Sequence, residues 1–469
     1  MTSFDRLFKI ISLSFLTFLV GCAIGPDFER PAMPLSENFR ENAGEAGQSI
    51  VNLNWWEVYS DPILQELIRE ALANNKDLGI AAARVEQAMA TMGITRADQF
   101  PTIGLNGQAQ RSEASEKALA FLSTPINSFG LLGTLSWELD IWGKLRRATE
   151  AERASLLSTE FGFQAVHMTL ISAVASSYFN ILGAEQRLNI SKGTIENRKG
   201  ATKIIGERFQ KGIIPELDLN QAQIEEATAA VALTVVERNL RQSENALSVL
   251  LGKAPTNIPR GKDLSQQPLP LNLPAGYPIQ LLERRPDVRA AEEAAHAKVA
   301  RIGVAKGKQL PSLNLAGFIG LQSLESNELL KGDARTWSIG GTLIGPLLDF
   351  GRSSSVIEAA EADAKASILS YEQTVLNAVR EVEDALVAIR TSRDGYINRE
   401  AQVSAARNAA KLSRARYDEG VSPYIEVLDV ERSLFTAELG ASTDRELFLV
   451  SIVNLYKALG GGWNPEVAN

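Results

Sequence analysis

The chain has very little cysteine and histidine: among 469 residues there are Cys22, His167 and His296 and no others of either type. One thiol cannot form an internal disulfide, and two histidines without further thiolates supply too few ligands for a zinc or redox metal site. Catalytic signatures are equally scarce. The sequence contains no Gly-x-Ser-x-Gly nucleophile elbow and no glycine-rich phosphate loop, so the many Asp and Glu side chains read as polar helix faces. No catalytic residue, metal or cofactor is expected, and the chain is not expected to be an enzyme. An excess of basic charge is also missing, since the formal net charge is −8. That balance argues against a nucleic-acid partner.

Long apolar runs are confined to the N-terminus. Arg6 and Lys9 precede an apolar stretch over residues 10–20 that closes on Leu19-Val20-Gly21-Cys22. The stretch is about half of what a helix needs to span a bilayer, and the pattern is that of a secretory signal peptide over 1–21. Its end resembles the lipobox of bacterial lipoproteins. That resemblance implies that Cys22 becomes the first residue of the mature chain and carries diacylglycerol and an amide-linked acyl group, enough to hold the protein on a membrane. Ala23 is not the Asp that retains such lipoproteins at the inner membrane, so the outer membrane is the expected address. Cleavage removes Asp5, Arg6 and Lys9, leaving 46 basic and 55 acidic side chains.

The rest is a duplication. Gln99-Phe100-Pro101-Thr102 answers Gln309-Leu310-Pro311-Ser312 at an offset of 210, and Arg208-Phe209, Gly212 and Pro215 answer Arg416-Tyr417, Gly420 and Pro423 at 208. The change in offset falls between early and late matches, where a variable loop fits. The expected organisation is a lipidated extended segment over 22–60, a first repeat over 61–252, a Pro-rich connector over 253–286, a second repeat over 287–460 and a tail over 461–469. Each repeat reads helix, two strands, very long helix, helix. Residues 144–208 and 352–416 contain no proline, and each run could extend about 100 Å as one helix. In the second, Ala364, Ile368, Tyr371, Val375, Ala378, Val382, Ala385 and Ile389 alternate steps of four and three, the period of left-handed helix packing. Leu157, Phe161, Ala165, Met168, Ser172, Ala175, Phe179 and Leu182 follow nearly the same rule in the first. A long helical hairpin in any coiled-coil protein would show this period too.

Four short segments alternate with period two instead. Ile103, Leu105 and Ala109 face away from Asn106, Gln108 and Gln110, and Leu131, Leu135, Trp137 and Leu139 from Thr134, Ser136 and Glu138. In the second repeat Leu313, Leu315, Ile319 and Leu321 share a side with Trp337, Ile339, Leu343 and Leu347. Such segments fit outer-membrane barrel strands, apolar towards lipid, although a soluble sheet covered by helices would alternate likewise. Four strands cannot close a barrel, and an open edge in hydrocarbon leaves backbone groups unpaired at several kcal/mol each, so copies must join edge to edge.

At this point the chain resembles the TolC family, within it the lipoprotein outer-membrane factors of multidrug efflux systems. The resemblance rests on Trp55-Trp56 before Asp61-Pro62, on Asn74-Asn75, on Arg285-Pro286-Asp287-Val288, on Arg416-Tyr417 with Gly420, and on the run from Asn454 to Trp463. It implies a mixed but mainly α fold: a homotrimer with a twelve-stranded barrel, four strands per chain, continuous with a long periplasmic helical barrel. It also implies a periplasmic adaptor and an inner-membrane pump, usually of the resistance-nodulation-division class, as partners. The exit duct of a type I protein-secretion system or a metal-ion efflux channel is the alternative, and a structural envelope tether would not need duplicated strands. The resemblance also assigns a periplasmic gate. Gly212 with Pro215 and Gly420 with Pro423 mark the turns, Ile425 matches an apolar ring position, and Asp429 and Arg432 match charged positions three apart on one helix face. Tyr424 and Asp218 are further candidates. Glu431 stands where the family's usual Gln precedes that Arg.

Overall fold

A computed structural model describes residues 23–34, 39–40, 61–113, 125–269 and 285–461. Cys22, the signal segment, Trp55-Trp56 and the tail beyond 461 lie outside them. In chain order the main elements are α1 (Pro62–Asn74), α2 (Lys76–Ala97), β1 (Thr102–Ser112), β2 (Ile126–Leu139), α3 (Lys144–Gln210), α4 (Glu216–Leu250), α5 (Pro286–Gln309), β3 (Ser312–Ser323), β4 (Arg335–Ile344), α6 (Arg352–Asp418) and α7 (Tyr424–Ala458). Both long helices have 67 residues and both following helices 35.

The chain divides into two compact units. The first combines Arg84–Glu160 and Ala290–Glu372 with the N-terminal segment, and holds the sheet. Its strands run in the order β1-β2-β3-β4, each pair antiparallel, which leaves β1 and β4 as edges within the chain. Directly opposed residues share a face. Ile103 opposes Leu135, Leu131 opposes Leu321, Trp137 opposes Leu315, Ile319 opposes Trp337, and Leu313 opposes Leu343. The odd-numbered apolar residues of all four strands therefore form one continuous surface, and it is exposed: Ile103, Leu105, Ile319, Trp337 and Ile339 are each more than two-thirds accessible. The even-numbered face carries Asn106, Gln108, Thr134, Ser136, Asn314 and Thr342.

Residues 23–32 are tied to the same unit. Asp27 pairs with Arg147 at 2.7 Å, Arg30 with Glu292 at 2.7 Å, and Phe28 stacks on His296 with centroids 5.2 Å apart. Ile24 donates its N–H to the Trp142 carbonyl. A Cβ on Gly143 would lie 2.6 Å from Ala23, so residue 23 sits against the turn that follows β2.

The second unit contains Ala83 and the residues just before it, Phe161–Arg289 and Gln373–Asn469. Its core is built by Leu64, Leu67 and Ile68 of α1, Val174, Tyr178 and Phe179 of α3, Leu247 of α4, and Phe448, Ile452 and Tyr456 of α7. One window of α3 has the length and apolarity of a membrane span, but more than half of it is buried inside the protein; this helix is wrapped by others. Met168, Ser172, Ala175, Phe179 and Leu182 of the expected seam are buried, as are Ile171, Val174 and Ile181 beside it. The buried stripe is thus broader than a two-helix seam, because α3 packs on several neighbours. Asp61 is fully buried and satisfied. Its carboxylate caps α1 through the N–H groups of Ile63 and Leu64 and accepts from Tyr178, Lys262 and Gln267. The first helical segment is broken at Asn75, whose ψ of 132° is extended. Its side chain caps Leu78 and reaches the Leu250 carbonyl.

Candidate functional site

Two turns carry the candidate site. α3 ends in a Schellman motif: Gly212 donates to the Phe209 carbonyl and Ile213 to the Arg208 carbonyl, with Gly212 at φ +68°. α6 repeats it, Gly420 donating to Tyr417 and Val421 to Arg416, with Gly420 at φ +73°. A side chain at either glycine would be held in the left-handed backbone that L-residues avoid. Pro215 and Pro423 then stand at the N-cap of α4 and α7, not inside the first turn, with φ of −73° and −72°. Their rings set the entry of the chain and leave no capping side chain.

The two turns come together. Ile205 of α3, Ala222 of α4 and Tyr424, Val427 and Leu428 of α7 are buried in one cluster, with Ile214, Leu219 and Tyr417 against it. Tyr424 belongs to this core. Its ring lies 5.1 Å from that of Tyr417, and burial pushes its hydroxyl up to about 12. It does not offer a free hydroxyl at a surface. Asp218 lies partly exposed in the first turn of α4, where a carboxylate is favoured by the helix dipole. Ile425 is 43% exposed, and Asp429 is exposed.

Arg432 has a partner within the chain. Its Nε donates to Glu225 Oε1 of α4, and Glu225, nearly buried, is also held by Arg198 of α3 at 2.7 Å. Arg198 in turn donates to the Glu225 carbonyl and lies over the Phe435 ring at 5.5 Å. One carboxylate thus joins three helices from both repeats. Around it, Arg416 pairs with Glu426 at 3.1 Å and Arg414 approaches Glu431 at 3.8 Å. Burial raises the Glu431 carboxyl above its ordinary range, with Arg414 and Arg198 opposing the shift. Neither Glu225 nor Arg198 stood out in the sequence, because an isolated acid on a helix has no pattern. Leu217, 62% exposed, was legible: it lies 208 residues before Ile425, its repeat equivalent.

An exposed apolar sheet face whose β1 and β4 edges have no strand partner among the described residues, in a chain with two 67-residue helices, marks the class as an outer-membrane channel. Residues 67–253 and 278–461 match the model of the outer membrane efflux protein family, and the chain belongs to that family. It is 34% identical to the outer membrane protein OprJ of Pseudomonas aeruginosa, over 97% of this chain and 96% of that one. It is 33% identical to the cation efflux system protein CusC of Escherichia coli strain K12, over 97% and 99%. Among solved structures, the Campylobacter jejuni CmeC outer membrane channel superposes with a TM-score of 0.89 at 27% identity, covering 94% of this chain and 96% of that one. The Neisseria gonorrhoeae MtrE channel, solved in its open state, gives 0.84 at 29% identity, over 94% and 98%. The protein is an outer-membrane efflux channel with a large periplasmic portion.

Proposed function

We propose that three copies close the four-stranded sheets into one barrel and that the trimer is the exit duct of a tripartite pump, receiving small toxic compounds from a periplasmic adaptor and an inner-membrane pump. The observation that carries this reading is the exposed odd-numbered face of the sheet with unpaired edges on β1 and β4. In hydrocarbon such edges are tolerable only when paired, and edge-to-edge joining of copies pairs them. The names of relatives favour two cargo types, since one is a cation efflux protein and another a toluene efflux protein.

In the same reading the two turns form a resting closure at the periplasmic end. Leu217 and Ile425 supply apolar contact, and the Arg198–Glu225–Arg432 cluster holds the second-repeat helices to the first. Asp429, on the surface, remains available to a neighbouring copy. The test is single-channel recording of detergent-extracted protein in a planar bilayer. A trimer by native mass spectrometry that conducts, and conducts more after Asp429→Ala with Arg432→Ala, supports the reading. A conducting monomer would overturn the barrel, and unchanged conductance in a folded trimer would remove these residues from the closure.

A further inference from the structure

Apart from Ile126 and Ile344 at strand ends, the polar face of the sheet carries large apolar side chains at one place. Leu132 of β2 lies directly across from Gly320 of β3, and Phe318, two residues before Gly320, lies across from Thr134 and Ser338. Leu132 and Phe318 are therefore diagonal neighbours, within reach of each other on one face. The positions around them are small or uncharged. Gly340 has open space where a side chain would stand, so the phenyl ring is not walled in on that side. Among the described residues the strands contact chiefly one another and a short turn, and Phe318 remains partly accessible. Lipid contact does not explain the pair either, because its neighbour Ile319 points to the opposite, apolar face.

We infer that Leu132 and Phe318 form a cargo-contact patch on the lumen wall, repeated three times around the closed barrel, that takes the aromatic or planar apolar part of a passing small molecule. The inference rests on the barrel reading above. Among the described strand residues the only ionisable side chain on this face is Glu138, already paired with Lys144, so contact at the patch depends on apolar area and ring stacking and not on charge. The patch is a wall contact and not a plug. Twelve strands about 4.8 Å apart and tilted by about 40° enclose a backbone diameter of about 24 Å, which three phenyl rings cannot span.

The test compares two neutral solutes, phenyl glucoside and methyl glucoside, added to single trimers in a planar bilayer. Excess current noise from brief dwelling is expected with phenyl glucoside only. Leu132→Ser with Phe318→Ser should shorten that dwell by about two- to tenfold, the range set by a lost aromatic contact, while trimer yield and open-channel conductance hold. Equal noise from both solutes, or an unchanged dwell in the variant, would overturn the patch. Phe318→Cys and Ile319→Cys, probed on whole cells with a membrane-impermeant maleimide, separate this from failure of the barrel reading. Labelling at 318 and not at 319 keeps the faces as assigned, so an unchanged dwell then counts against the patch alone. Labelling at 319 and not at 318 inverts the faces and overturns both.

Discussion

Glu225 illustrates how one side chain can join elements far apart in sequence. Its carboxylate is nearly dry and faces two guanidinium groups, Arg198 on α3 and Arg432 on α7. Removing one partner of a buried pair leaves the other uncompensated, at a cost of about 3–5 kcal/mol. Glu225→Gln is therefore expected to raise resting conductance and to speed hydrogen exchange around residues 424–432, while leaving the strands assembled. An unchanged exchange pattern would show that the apolar cluster alone holds the turns. Glu431 acts in the opposite sense. Its carboxyl titrates above the ordinary range because burial penalises the charge, so the folded state binds the proton more tightly than the unfolded state. The stability this contributes is present below the ordinary carboxylate pKa and is lost as pH rises through the raised one. Glu431→Gln should slow exchange at the turns near pH 7.5 and make little difference near pH 4, and exchange measured at both values checks the sign. Arg414, at 3.8 Å and half exposed, contributes too little to reverse it.

At the scale of the element, each strand has two faces with different solvents to meet. Leu135 and Ile339 lie on the exposed apolar face, whereas Thr134 lies on the other. Arginine at Leu135 or Ile339 should cost about 2–4 kcal/mol near the bilayer midplane, and arginine at Thr134 much less. Heat-modifiability of the assembled trimer on gels reads the difference, and equal tolerance at both sites would mean the faces are exchanged. The indole N–H groups near the helix-side ends of the strands are satisfied by backbone, Trp137 donating to the Gln99 carbonyl and Trp142 to that of Pro311. Trp337 stands near the opposite end, exposed. Tryptophan at both ends of the strands is the arrangement of an interfacial girdle.

For the whole molecule, the segment after Cys22 matters as much as the strands. Ala23 rests on Gly143 and the Ile24 N–H is held by Trp142, so the described chain starts fixed at the turn that follows β2. Mass spectrometry of the mature N-terminus should show a chain beginning at Cys22 with thioether-linked diacylglycerol and one amide-linked acyl chain. An unmodified N-terminal peptide, or one retaining Met1, would sink the lipoprotein reading.

The local patterns were decided by the sequence alone. Period two marks the strands and their lipid-facing side, because each residue alternates across a pleat whatever packs on it. The absence of proline over 144–208 and 352–416 marks the long helices, and glycine at 212 and 420 marks their ends, because these are constraints within one turn of backbone. The four-and-three spacing from Ala364 to Ile389 likewise picked out the buried side of α6: Ala364, Tyr371, Val375, Ala378, Val382 and Ala385 are buried. Other features exist only once the chain is folded. The breadth of the buried face of α3 depends on how many helices surround it, and the burial of Tyr424 depends on the second turn meeting the first. Arg432 could have faced Asp429 three residues away, yet it is bound by Glu225, 207 residues distant. Helix periodicity places only Asp429 within reach of the guanidinium; the packing of α4 against α7 brings Glu225 there, and the desolvated site between α3, α4 and α7, where a lone carboxylate would be costly, selects it.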